Sequence, residues 1–143
     1  MKANTVNAAC GLVLLILSAG CRTDVAVNFR NGTSSTVWVT SANTGRETEI
    51  PSGRFRKIPH GAGNLILKAA GNEKLTFEDI TPFHVDRQYL GVRDNLVGVD
   101  SVVLSVRLET NMQLYVLLPR QKTVDQKVEQ PKGYPKSGKK VAE

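Results

Sequence analysis

Cysteine is almost missing from this sequence: there are two, Cys10 and Cys21, and both stand near the amino terminus. Beyond Cys21 no disulfide can form within the chain, so whatever folds there is held by packing alone. Aromatic residues make up only 6%, with Trp38 the sole tryptophan, which leaves a core to Val, Leu and Ile. Histidine is limited to His60 and His84, and neither stands at metal-ligand or triad spacing. No Ser occupies a G-x-S-x-G frame, and no apolar run reaches the roughly eighteen residues a spanning helix needs.

These shortages weigh against catalysis. Glu78, Asp79, His84 and Asp86 form the densest titratable cluster, and it reads as a solvated strand end and loop. His60-Gly61-Ala62-Gly63 has the glycines of a phosphate loop, but a strand pattern follows where a helix N-terminus would be needed. It reads as a hairpin loop. The expectation is a non-enzymatic chain with no cofactor and no metal.

What is present is sharply divided along the chain. Residues 1–7 are polar with one charge, Lys2, and residues 8–19 are a nearly unbroken apolar run, AACGLVLLILSA. As a helix that run spans roughly 18 Å, short of the ~30 Å hydrocarbon core, so it reads as a signal-peptide core. It ends in Leu17-Ser18-Ala19-Gly20-Cys21, which resembles the lipobox of bacterial lipoprotein precursors. Ser18 stands where that family usually has Leu, and Leu17 lies one position earlier. The resemblance implies diacylglyceryl transfer to the Cys21 sulfur, cleavage before it, and anchoring by two or more acyl chains. Arg22 stands where inner-membrane lipoproteins of enteric-type bacteria carry aspartate, which implies an outer-membrane anchor facing the periplasm.

Residues 21–118 then read as one domain, with a short tether at 21–24. Val25-Ala26-Val27-Asn28-Phe29 alternates, and Asn31-Gly32 signals a tight turn with positive φ. Thr36-Val37-Trp38-Val39-Thr40 is β-branched and aromatic. Asn43-Thr44-Gly45 and Pro51-Ser52-Gly53 punctuate strands at Glu47–Ile50 and at Arg54-Phe55-Arg56-Lys57-Ile58. Strands follow over 64–69 and 75–80, the latter with Leu75, Phe77 and Ile80 inward. Residues 82–95 read as an irregular surface crossing, and strands return at Ser101–Leu108 and 112–118. No apolar stripe of helical period has useful length. The predicted fold is all-β: a small antiparallel β-sandwich of about seven to eight strands, Ig-like or transthyretin-like in outline.

The last stretch, 119–143, changes character, with three prolines and many Lys and Gln. Of the formal net charge of +6, the leader holds +1, the body +1 and this tail +4. Few apolar side chains remain to offset ordering entropy, so the tail is expected to be disordered or extended. Its Lys122, Lys127, Lys132, Lys136, Lys139 and Lys140 are candidates for contact with an anionic lipid, wall polymer or acidic protein.

Two functions follow as expectations. One is a membrane-anchored, non-enzymatic structural or protein-interaction module of the cell envelope. The alternative is a small-molecule or glycan binding module with a pocket near Trp38, Tyr89 or Tyr115. Nucleic acid is not an expected partner, because export removes the chain from it and aromatics for stacking bases are scarce. Asn31-Gly32-Thr33 also fits the N-glycosylation pattern, but the turn explains these residues without it.

Overall fold

The computed structural model describes residues 24–59, 63–93 and 101–141; the leader with Cys10 and Cys21, and the loop with His60, lie outside the described residues. Strand β1 (Asp24–Asn31) shows the rule that builds the rest: Val27 and Phe29 point inward and are fully buried, while Asn28 and Arg30 point outward. It is followed by β2 (Val37–Ser41), β3 (Glu47–Ile50), β4 (Phe55–Pro59), β5 (Gly63–Lys68) and β6 (Lys74–Ile80). Two 3-10 turns, Pro82–His84 and Arg87–Tyr89, lead to β7 (Leu90–Arg93), β8 (Ser101–Leu108) and β9 (Gln113–Val116). The tail adds β10 (Lys136–Ser137) and β11 (Lys139–Lys140).

These strands form two sheets around one core, so the protein is an all-β sandwich. The first sheet, A, runs β10-β9-β8-β1-β4, with β7 also paired to β8; the second, B, runs β11-β6-β5-β2-β3. Phe29, Leu104 and Leu114 of sheet A meet Val39, Leu67 and Phe77 of sheet B in a single cluster. One side of β8 pairs with β1 along its whole length, while β7 and β9 divide the other side.

Four features depart from the sequence reading, each for a physical reason. First, sheet A is mixed, because β1 and β8 pair in parallel from Asp24↔Ser101 to Asn31↔Leu108. The inward-outward alternation is the same for either pairing, so the pattern cannot tell them apart. Second, 82–93, the described part of the stretch read as 82–95, is more than a surface crossing. Val85 and Tyr89 are buried, the Thr81 hydroxyl caps the first turn by accepting from the Phe83 amide at 3.3 Å, and β7 follows. A four-residue strand with a glycine inside it carries little period-two signal. Third, the inward set Leu75, Phe77, Ile80 is buried as expected, but its spacing changes from two to three. Asp79, at φ 54°, adds one residue to β6 opposite β5 and restores Ile80 to the core.

The fourth departure is at Asn31-Gly32, which is not a positive-φ hairpin turn. The chain passes here from sheet A to sheet B, and neither residue has a positive φ. Gly32 is needed for close approach: a Cβ there would lie 2.5 Å from the Leu108 carbonyl oxygen, which accepts from its amide at 2.8 Å. The Asn31 side chain is fully buried. Its amide nitrogen donates to the carbonyls of Ser35 (2.7 Å) and Ile50 (2.9 Å), and its oxygen accepts from the Thr33 amide (2.9 Å) and hydroxyl (2.7 Å). Its backbone also pairs with Gly53 and Arg54 in a G1-type bulge, Gly53 having φ 69°. Asn31 therefore ties β1, the 33–35 bend, the end of β3 and the start of β4. A side chain so enclosed offers no acceptor nitrogen to a glycan in the folded chain.

The tail is extended, as expected, but it is ordered and docked onto the sandwich, which corrects the expectation of disorder. The Tyr89 hydroxyl donates to the Glu129 carbonyl. The Gln130 side chain takes the place of a strand against β9, accepting from the Val116 amide at 2.8 Å and donating to its carbonyl at 3.1 Å. Val128 and Tyr134 pack against the core, and Pro131 is buried. β10 then pairs with β9 and β11 with β6, so five residues bridge the two sheets across one flank. Gly138 makes the crossing: a Cβ there would lie 2.9 Å from Leu75 Cβ and 3.1 Å from the Phe77 ring. The tail orders in spite of its polar composition because it does not fold alone; it covers apolar surface that the body has already assembled.

Tyr134 shows what that docking costs. Its hydroxyl is buried with no hydrogen-bond partner among the described residues. Burial, and secondarily the charge of Asp79, push its ionisation well above the ordinary tyrosine value near 10. Tyr134→Phe is therefore expected to be at least as stable as the parent, gaining about 1 kcal/mol by urea denaturation. The sign with pH follows from linkage. Above the unfolded-state value the unfolded chain has lost a proton that the folded chain still binds, so stability falls as pH rises. The same titration repeated above pH ~10 is expected to show a smaller alkaline loss for Tyr134→Phe.

Candidate functional site: a cationic groove on sheet A

The outer face of sheet A is built in register. β1 and β4 bring Asn28 beside Lys57 and Arg30 beside Phe55, and the parallel pairing sets Ser105 beside Asn28 and Arg107 beside Arg30. Alternation sends all of these away from the core. Phe55 is 53% exposed, large for an aromatic, and the Arg30 guanidinium lies 5.2 Å from its ring centre.

The second wall of the groove is the segment 117–122, which leaves β9 and runs over β8. Four bonds fix it: Leu117 amide to Ser105 carbonyl (2.9 Å), Leu118 amide to Gln121 side chain (3.0 Å), Gln121 amide to Leu118 carbonyl (3.0 Å), and Arg107 Nη1 to Lys122 carbonyl (2.9 Å). Arg107 is itself paired to Glu109, so its charge is occupied in holding this wall. Leu118-Pro119-Arg120-Gln121 is a turn of type II form, with Pro at its first central position. Arg120 follows at φ 74°, where glycine is usual. A strained arginine at a position that favours glycine brings a cation onto the groove.

Three adjoining cavities of about 280, 340 and 260 Å³ lie along this face, all lined by Phe55, and between them by Arg30, Lys57, Arg120 and Lys122. Asn28, Ser105 and Gln121 add uncharged polar groups, while Val103 and Leu117 add apolar ones. Arg54 and Arg56 stand at one end. Among the described residues no carboxylate lines any of the three. Such a surface can hold an anionic, partly apolar ligand by charge and by contact with one ring.

The residues singled out from the sequence scatter around this groove. Of the six tail lysines only Lys122 lines it. Lys139 is paired with Glu78 at 2.6 Å and Lys140 with Glu73 at 3.0 Å on the β6 flank, and Lys136 Nζ lies 5.2 Å from the Tyr134 ring centre. Lys127 and Lys132 are exposed on the intervening segment. The tail is thus not one basic arm, and the sequence reading misses Arg30, Lys57, Phe55 and Arg120. Alternation around Phe55 is a signal; the neighbour supplying Arg30 lies 25 residues away and leaves none.

The aromatic residues expected to line a pocket do not converge. Trp38 is half-buried on the outside of sheet B with Lys68 Nζ 5.8 Å from its ring centre. Tyr89 is in the core, and Tyr115 is half-buried on sheet A, its hydroxyl accepting from Asn111 Nδ2 (3.2 Å) and donating to Gln113 Oε1 (2.9 Å). Among the described residues no three His, Cys, Asp or Glu side chains gather where a metal ion could be held, and His84 is exposed. Compared with protein-family models, curated proteins and solved structures, the chain finds no match.

Proposed function

We propose that this protein is a lipid-anchored, non-enzymatic interaction module of the bacterial cell envelope. Acyl chains on Cys21 hold it on the membrane, the outer membrane facing the periplasm by the identity of Arg22, and sheet A faces a partner. The lipobox-type segment Leu17-Ser18-Ala19-Gly20-Cys21 supports the anchor. The observation that carries the interaction role is the groove around the exposed Phe55, whose described lining residues include cations and no carboxylate. A glycan or small-molecule pocket has less support, since Trp38, Tyr89 and Tyr115 lie apart.

The anchor is tested by growth with labelled palmitate. Label is expected in the wild-type protein and is expected to be absent from Cys21→Ser; label retained in that variant would remove the lipoprotein reading. Retrieval of an envelope component from detergent-solubilised membranes tests the partner role. Point variants suit that test better than removal of 119–143, which takes away both a groove wall and core side chains.

A further inference from the structure

We infer that the sheet A groove binds an extended acidic segment of a partner protein, with carboxylates on Arg30, Arg120, Lys122 and Lys57 and an apolar side chain on Phe55. This rests on the interaction-module reading and gives its partner a chemistry.

The charge is one-signed where it counts: the four cations share three adjoining cavities with no carboxylate among the described lining residues. A single phosphate would use one cavity. Three in a row, all touching Phe55, suit a ligand with anionic groups spaced along a chain. The groove is concave, with the 117–122 segment as a raised wall, whereas a bilayer surface is flat. Arginine at Arg30 and Arg120 matches carboxylates through two parallel donors.

Arg120 separates a binding role from a structural one. Its left-handed backbone favours glycine, so Arg120→Gly removes the charge while relieving the conformation. A residue kept for stability would show the opposite.

The test uses residues 22–143, whose described part closes around its own core, and a fluorescein-labelled peptide with glutamate at alternate positions around one leucine. Saturable binding is expected, weakened at least about tenfold when every glutamate is glutamine and also weakened at ~0.5 M salt. Phe55→Ala and Arg120→Gly are each expected to weaken binding about fivefold, with the thermal midpoint of Arg120→Gly unchanged or higher. Lys127→Gln with Lys132→Gln, outside the groove, is expected to leave binding unchanged.

Three results would overturn the inference: no binding of the acidic peptide, binding indifferent to Phe55→Ala and Arg120→Gly, or binding only to phosphatidylglycerol vesicles. The last would assign the groove to lipid. None of these affects palmitate labelling at Cys21, so the anchor stands or falls separately. Retrieval of a partner that does not depend on the groove would leave the interaction module in place and remove only this site.

Discussion

Deleting residues 124–143 is expected to destabilise the sandwich by on the order of 4 kcal/mol, read as a lower urea midpoint with the strand signal as probe. The deletion spares 117–122 and so leaves the groove wall in place. It removes Val128 and Tyr134 from the core boundary, the Gln130 bonds to Val116, and the bridge β10–β11 over Leu75 and Phe77. Burying a side chain of this kind contributes about 1.5–3 kcal/mol, and small domains have only about 5–15 kcal/mol to lose. The exposed pairs Lys139–Glu78 and Lys140–Glu73 add little, being worth about 0–1 kcal/mol each. An unchanged midpoint would show that the tail rests on the surface without supporting it.

Asn31→Ala is expected to cost about 3 kcal/mol in the same measurement, more than most single substitutions in this chain. The alanine removes two donors and an acceptor used twice, all inside a fully buried pocket. The Ser35 carbonyl keeps the Thr33 hydroxyl at 3.0 Å, but the Ile50 carbonyl loses its side-chain donor next to a residue with no exposure. Leaving buried polar groups unmatched is what makes the loss large. Asn31→Asp tests the same geometry from the other side, because a carboxylate still accepts from Thr33 yet faces two carbonyls. It is expected to be worse than alanine at neutral pH and to recover partly on acidification, as the carboxyl takes up a proton.

Much of the fold is legible in the sequence. The alternation at Val25–Phe29, Val37–Val39 and Leu75–Phe77 places strands and their inward faces, because a period of two follows directly from backbone geometry. The glycines at 45 and 53 mark turns, and both have positive φ. Asn31-Gly32 misleads for a specific reason. Local chemistry favours a hairpin there, but a neighbouring strand's carbonyl and a buried side-chain network demand the same two residue types. β7 is too short and too glycine-interrupted to show.

The groove is much less legible than the fold. Lys122 stands out in the sequence only as one of six tail lysines; of the others, Lys139 and Lys140 are paired on the β6 flank, Lys136 lies against Tyr134, and Lys127 and Lys132 are exposed on the intervening segment. Arg30 and Phe55 come from strands in different parts of the chain, and Arg120 enters through a backbone conformation that its residue type disfavours. Nothing local joins them.

By itself, then, the sequence determined the all-β class and most strand positions, because these rest on local period and turn chemistry, and its contiguous motif at 17–21 raised the expectation of an anchor at Cys21. Only the tertiary structure decided the parallel β1–β8 pair, the docking of the tail and the gathering of Arg30, Lys57, Phe55, Arg120 and Lys122. Those depend on which distant segments become neighbours, and pairing free energy between strands far apart in the chain leaves no periodic mark on either one.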